Sequence, residues 1–366
     1  LAIGKDALFT NTTGNYNIAV GYDAMQQNNG SNNVAVGHDA LKLNTTGGDN
    51  TVVGSIALDA NTTGSNNTAI GRDSLGQNTT GGNNVVIGQS AFSNQTTSSN
   101  NTGVGNESGF YQTGGLNVAV GKAAFRGLNS GTFNGQYNVA VGANSLYNNT
   151  TANYNTAIGY NALNLNTTGS YNTAVGAGAM DANTTASENS AFGYNAMGKN
   201  TTGNYNTGLG RESLSENTTG ANNTAVGNHA LSNSNGDSNT AVGSYTGDNI
   251  TTGSQNTFVG QAAGGAVTTS SQNTAVGANA LDALTTGGYS VAMGYSALTN
   301  NTGGGNTAVG HDAMVASTTG TNNTAVGRSS LRSNTTGVDN VAIGYQALYS
   351  NVGQSYQIAI GRNALY

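Results

Sequence analysis

Residues Asn155–Gly169 read N-T-A-I-G-Y-N-A-L-N-L-N-T-T-G, and Ser170 and Tyr171 complete a unit of 17 residues before N-T-A-V-G begins again at Asn172. The glycine that closes the N-T-A-V-G pattern recurs from Gly4 through Gly21, Gly37 and Gly54 to Gly361, 22 times in all. Successive glycines are 16 or 17 residues apart, except for one interval of 21 between Gly121 and Gly142, and the mean is 17.0. A strict period of this length marks stacked supersecondary units rather than ordinary domains. No composition shift interrupts it, so residues 1–366 read as one continuous array. The chain starts at Leu1 and stops mid-pattern, which reads as a piece of a longer fibre protein.

Composition removes several function classes. Of 366 residues, 56 are Gly and 58 are Asn, while Pro, Cys and Trp are absent. Charged residues make up only 7%, against about 25% in a typical globular domain. Without Cys there are no disulfides, thiolate nucleophiles or Cys-ligated zinc. A net charge of −6 with ten scattered basic residues has the wrong sign and density for a nucleic-acid groove. No apolar run approaches the ~18 residues of a membrane span.

Each position can be numbered from the repeat glycine as zero. Position −1 is apolar in all 22 copies, position −3 is Thr, Val or Ile in 20, and position −2 is Ala in 17. β-branched residues two apart predict a strand with −3 and −1 on one face and −2 on the other. Position +4 is Leu, Met or Phe in 19 copies, and position +3 is always small. This predicts a second short strand, with the glycine at a corner where a side chain would crowd the next coil. N-T-T-G reads as a second turn. A helical stripe cannot run through a 17-residue unit broken by Gly and Asn, and disorder does not require Val at one phase.

Seventeen residues cannot bury a core alone, but stacked coils can. The prediction is an all-β solenoid of 22 coils, rising ~4.8 Å per coil. Positions −3, −1 and +4 are expected inside, and the Ala strip at −2 outside. Asn at −4 has two open readings: an amide ladder along the stack, or a turn residue held by local backbone bonds. A strip of small apolar residues facing outward predicts close approach by other chains, with a homotrimer the expected arrangement. Unpaired coil ends raise the further prospect of end-to-end filaments.

The motifs S-V-A-M-G at Ser290–Gly294 and N-V-A-I-G at Asn340–Gly344 resemble the S-V-A-I-G coil motif of trimeric autotransporter adhesin heads of the YadA type. The longer unit, as at Gly344–Asn351, is similar to repeats of phage tail-fibre and cell-surface fibre proteins. The resemblance covers the whole chain at repeat level. It implies a left-handed parallel β-roll, three chains around an axis, and a location outside the cell or on a virion. The unit here is longer than the adhesin motif, near 14 residues, and the extra residues fall in N-T-T-G.

Motifs for catalysis are missing: the sequence has no G-x-x-x-x-G-K-[ST], G-x-S-x-G or H-E-x-x-H. His38, His229 and His311 sit at +1 or +2 and read as surface residues, so an enzyme is not expected. Asp6, Asp23 and Asp39 occupy +2 on three successive coils. A weak Ca²⁺ site is one reading of that stack, and a solvated acidic stripe is the favoured one. No other cofactor is indicated.

Tyr137, Tyr154 and Tyr171 fall at −5 on consecutive coils and are expected to stack, as shields for the turn or as a contact for cell-surface glycans. Thr-Thr pairs at +8 and +9 raise ice binding as a lesser alternative, and the N-T-T sequons matter only where the host glycosylates them. The long interval predicts an insertion loop near 122–138, with Arg126 and Phe133 as candidate contact residues at its tip. Gly103, Gly109, Gly247 and Gly264 replace larger core residues and predict locally thin coils.

Overall fold

The computed structural model describes residues 1–128 and 133–366. It divides into two compact units, Leu1–Ser187 and Glu188–Tyr366. The first carries β1 (Ala2–Ile3) to β11 (Thr173–Val175), and the second β12 (Ser190–Phe192) to β22 (Ile358–Ile360). Each unit is a parallel β-solenoid in which every repeat contributes one strand. In the first unit, β2 (Ile18–Val20) pairs with β3 (Val34–Val36), and β3 with β4 (Thr51–Val53), position for position. In the second, β13 (Thr207–Leu209) pairs in the same register with β14 (Thr224–Val226). The ladder bonds are short: Ile18 N–H donates to Asn33 O at 2.9 Å, and Gly21 N–H to Ile3 O at 2.8 Å.

The second strand expected after the glycine is not formed. Positions +2 and +4 are left-handed instead, as at Asp23 (φ 53°) and Met25 (φ 51°), so the chain zigzags through a tight arc. Its N–H groups still pair between coils: Asp39 donates back to Tyr22 O at 2.9 Å, and Leu41 forward to Ala57 O at 3.0 Å. Left-handed Leu is uncommon. Here the conformation is held because both flanking coils supply hydrogen-bond partners. The repeat glycine behaves as the sequence suggests. Gly71 has φ 125°, and a Cβ there would lie 2.7 Å from the Gly88 carbonyl carbon.

The strand faces are the reverse of the expectation. From the second coil onward Ala at −2 is buried, as at Ala19, Ala35 and Ala225, while −3 and −1 point outward. Val20, Val36 and Val53 do stack over one another, but Val36 and Val53 are 37% and 39% exposed. The interior is too narrow for two β-branched side chains on this wall. It must also hold Leu or Met at +4, the small residue at +3, and Asn at both −4 and +7, all fully or almost fully buried in coils such as that of Leu58. Burial of each such Leu contributes roughly 1.5–3 kcal/mol.

The ladder reading of Asn at −4 holds, and in Asn67 the backbone bond also runs to the neighbouring coil rather than within its own turn. Asn67 donates Nδ2 to Asn50 Oδ1 at 3.1 Å and to Gly81 O at 3.0 Å, and its own Oδ1 accepts from Asn84 N–H at 3.1 Å. A second ladder, unforeseen in the sequence, runs through the Asn of N-T-T-G. Asn61 Nδ2 donates to Asn44 Oδ1 at 2.8 Å and to Gly64 O at 2.9 Å.

The glycines expected to thin the core instead make room for rings. Cβ atoms at Gly103 and Gly264 would lie 2.6 and 2.5 Å from Phe92 and Phe258, both fully buried. Phe258 stands at −2, where Ala is usual, and Gly264 at +4, where Leu is usual, so the volume has moved from one wall to the other. Phe258→Ala alone should cost about 3–5 kcal/mol, and Gly264→Leu alone about 1–3 kcal/mol from overpacking. The double variant restores the consensus pair and should return to within ~1 kcal/mol of the parent in denaturant titration. Additive losses would contradict this pairing.

Candidate functional site

The features that could carry function lie on the outside of the coils, because the interior is filled. The Asp6, Asp23 and Asp39 stack is already neutralised from within. Lys42 at +5 places Nζ 3.0 Å from Asp23 and 2.9 Å from Asp39, while Asp6 lies 4.0 Å from Lys5. Hydrogen bonds to Asp39 and Asp23 raise the Lys42 pKa well above its usual value. The lysine takes the place a bound cation would fill. Among the described residues no three acidic, His or Cys side chains converge on a metal-sized site.

Four other carboxylates share one repeat position on non-consecutive coils. Asp59, Asp181, Asp248 and Asp282 all stand at +5, and burial pushes each carboxyl up. Asp59 reaches about 6; burial is the main cause, with repulsion from Asp73 and Asp39 added and backbone hydrogen bonds opposing. The clue was position: +5 follows the buried Leu or Met and lies half under the neighbouring coils.

Tyr137, Tyr154 and Tyr171 do form a ladder, with ring centroids 4.8 and 5.1 Å apart and planes within 2° and 7°. Their faces cover one another, so the edges are what solvent meets. Each histidine also stacks on a tyrosine of an adjacent coil: His38 on Tyr22, His229 on Tyr245 and His311 on Tyr295. The three lie 3.1–3.3 Å from Asp39, Glu212 and Asp312 respectively.

Arg126 and Phe133 are not at a loop tip. Residues 129–132 of the insertion lie outside the described residues. Phe133 is buried 6.1 Å from the Tyr111 ring. Arg126 lies against the coil stack, with Nε 2.6 Å from Glu107, Nη1 3.1 Å from the Tyr147 hydroxyl, and its guanidinium over the Phe110 and Tyr111 rings. Charge pairing and ring burial draw both residues onto the coils. Gln112, at +7 before the insertion, reaches past that coil to Asn149 O at 3.0 Å.

The Thr at +8 is likewise engaged. Thr62 Oγ1 donates to Thr79 O, and Thr79 Oγ1 to Thr96 O, each at 3.0 Å. These hydroxyl protons are turned along the stack, away from any external ligand. The sequon Asn61 is fully buried within the second Asn ladder, so the folded coil gives a glycan no path to it.

The outer strand face is exposed as well. None of its −3 and −1 positions carries a charge in any of the 22 repeats. Large apolar side chains on it, including Val85, Ile158, Leu209 and Met293, are 36% exposed or more. Within each unit these side chains form an exposed row, interleaved with Thr at −3, that is a candidate contact face. No family model, curated protein or solved structure matches the chain.

The +5 carboxylates have a measurable consequence. A carboxyl whose folded pKa lies above its unfolded value binds more protons in the native state, so stability is lost as pH rises between the two. For Asp59 that window runs from 3.8 to about 6. The unfolding temperature should therefore rise on acidification from about pH 7.5 to about pH 5. Asp59→Asn should raise it at pH 7.5 and flatten part of the slope; an unchanged or steeper slope would contradict the assignment.

Proposed function

We propose that this chain is a structural segment of an extracellular fibre, such as a phage tail fibre or a bacterial surface adhesin. Its role is to extend and stiffen the fibre and to present a binding end. The supporting observation is the repetition, coil after coil, of one register-locked set of backbone and Asn bonds around a filled interior. That arrangement resists bending and leaves proteases little free backbone. The repeat-level resemblance to adhesin heads and tail-fibre proteins points the same way and favours left-handed winding.

Three copies gather around an axis through the outer strand faces, rather than through the Ala strip, which lies inside. Each unit presents eleven strands. At ~4.8 Å per strand and a width of about 10 Å this is on the order of 500 Å² of strand face in each unit. Thr at −3 in 12 copies keeps the face compatible with synthesis as a single chain before assembly. Glycan contact through the tyrosine edges and ice binding through Thr rows are the weaker alternatives. The rings cover one another's faces and, of each Thr pair, the +8 hydroxyl is spent along the stack, which leaves only the exposed +9 row.

Light scattering on the purified chain tests the assembly. Three times 36.5 kDa, about 110 kDa, is the expected mass. Val242→Lys, on the outer face, should give the 36.5 kDa monomer with its strand signal in circular dichroism retained. A monomeric parent would contradict the trimer. Electron microscopy tests the mechanical role: stiff unbranched rods are expected, and compact particles would overturn it.

A further inference from the structure

We infer that the stacked tyrosines are sites of oxidative cross-linking, at which neighbouring coils can be joined by carbon–carbon bonds between phenol rings. The inference stands apart from the fibre reading, since it rests only on the arrangement within each coil stack. Two conditions govern phenol coupling. An oxidant must reach both rings, and the second phenol must already be in place when the first radical forms.

Tyr137, Tyr154 and Tyr171 meet both conditions. They are 46%, 49% and 60% exposed, and parallel register holds their rings 4.8 and 5.1 Å apart. Tyr349 and Tyr366, at +5, form a second pair at 5.1 Å. Competing reductants are few. The chain has no Cys and no Trp, and four of its five Met residues (Met25, Met180, Met197 and Met314) are fully buried. Apart from Met293, which is 43% exposed and is oxidised to its sulfoxide rather than coupled, tyrosine is the most readily oxidised side chain that solvent meets.

The oxidant class is hydrogen peroxide acting through a haem peroxidase. The peroxidase removes one electron from each of two phenols, and each phenol releases its hydroxyl proton. The two phenoxyl radicals then couple at ring carbons ortho to oxygen. Each of those carbons returns its hydrogen as a proton to restore the phenol. Overall, two tyrosines and one hydrogen peroxide give one dityrosine and two waters. To reach bonding distance the stacked rings must open about one edge. Half-exposed side chains on the coil surface have the rotational freedom to do so.

The chain contains its own controls. Tyr16, Tyr205, Tyr289 and Tyr356 also stand at −5 and are 56–88% exposed, but the equivalent positions on the adjoining coils carry no tyrosine. They have the oxidant access without the partner. The test is peroxidase and hydrogen peroxide on dilute purified protein, followed by proteolysis and mass-spectrometric mapping of dityrosine. Within single chains, the expected bonds are Tyr137–Tyr154 or Tyr154–Tyr171, and Tyr349–Tyr366. Tyr154→Phe should remove the first two and leave the third. Oxidation in denaturant should abolish the selectivity. Dityrosine formed mainly at the four isolated residues, or ladder tyrosines converted only to uncoupled products, would overturn the proposal.

Discussion

The carbonyl at position −7 is the point on which each coil depends. Gly64 O accepts one hydrogen bond from Asn50 of the preceding −4 row and another from Asn61 of its own turn, at 3.0 and 2.9 Å. The same double acceptance recurs at Gly30 and Gly81. A buried carbonyl or amide left unpaired costs about 1–3 kcal/mol. A coil with two full Asn rows inside is therefore stable only if every row is continued. Where the +7 row is broken the cost is visible: Asn217 Oδ1 and Ser234 Oγ are buried without a partner at the step from Asn to Ser.

This requirement accounts for the rest of the cross-section. Amide ladders need the coils at strand spacing, and that spacing brings backbone against backbone at the repeat glycine. Two Asn rows also occupy room that larger side chains would otherwise fill. The strand wall answers with Ala at −2, and its β-branched neighbours turn outward. Phe92 and Phe258 fit the same volume constraint, since each fills space that glycines on neighbouring positions leave open. The low charge of the chain follows as well, because a surface made of stacked identical positions places like charges at strand spacing. Lys42 between Asp23 and Asp39 is the local remedy.

Much of this was legible in the repeat. Period and β-branching pointed to parallel coils, and the glycine, the Asn at −4 and the Tyr137–Tyr171 row stand where the spacing put them. The side-chain direction was misread because alternation says only that −2 opposes −3 and −1, not which face is inside. Large apolar residues suggest the core by habit. Here the two Asn rows decide, and the one at +7 was hidden in a segment that reads as an ordinary turn. The insertion residues were misplaced for a related reason. Arg126 and Phe133 look like a projecting tip in sequence, whereas the partners that hold them, Glu107, Tyr111 and Tyr147, come from other coils. The +5 carboxylates were missed because their burial depends on neighbours above and below.

The central claim is that the repeat's Asn side chains are internal donors and acceptors holding one coil to the next. The pH dependence of unfolding free energy for Asn67→Asp tests it most directly. Aspartate keeps the shape but, when ionised, removes the donor to Asn50 and Gly81 and places a charge in the core. The account predicts a loss of several kcal/mol at neutral pH. The loss should shrink in acid, where the protonated carboxyl can again donate. A variant within about 0.5 kcal/mol of the parent at every pH, as for an ordinary surface substitution, would contradict it.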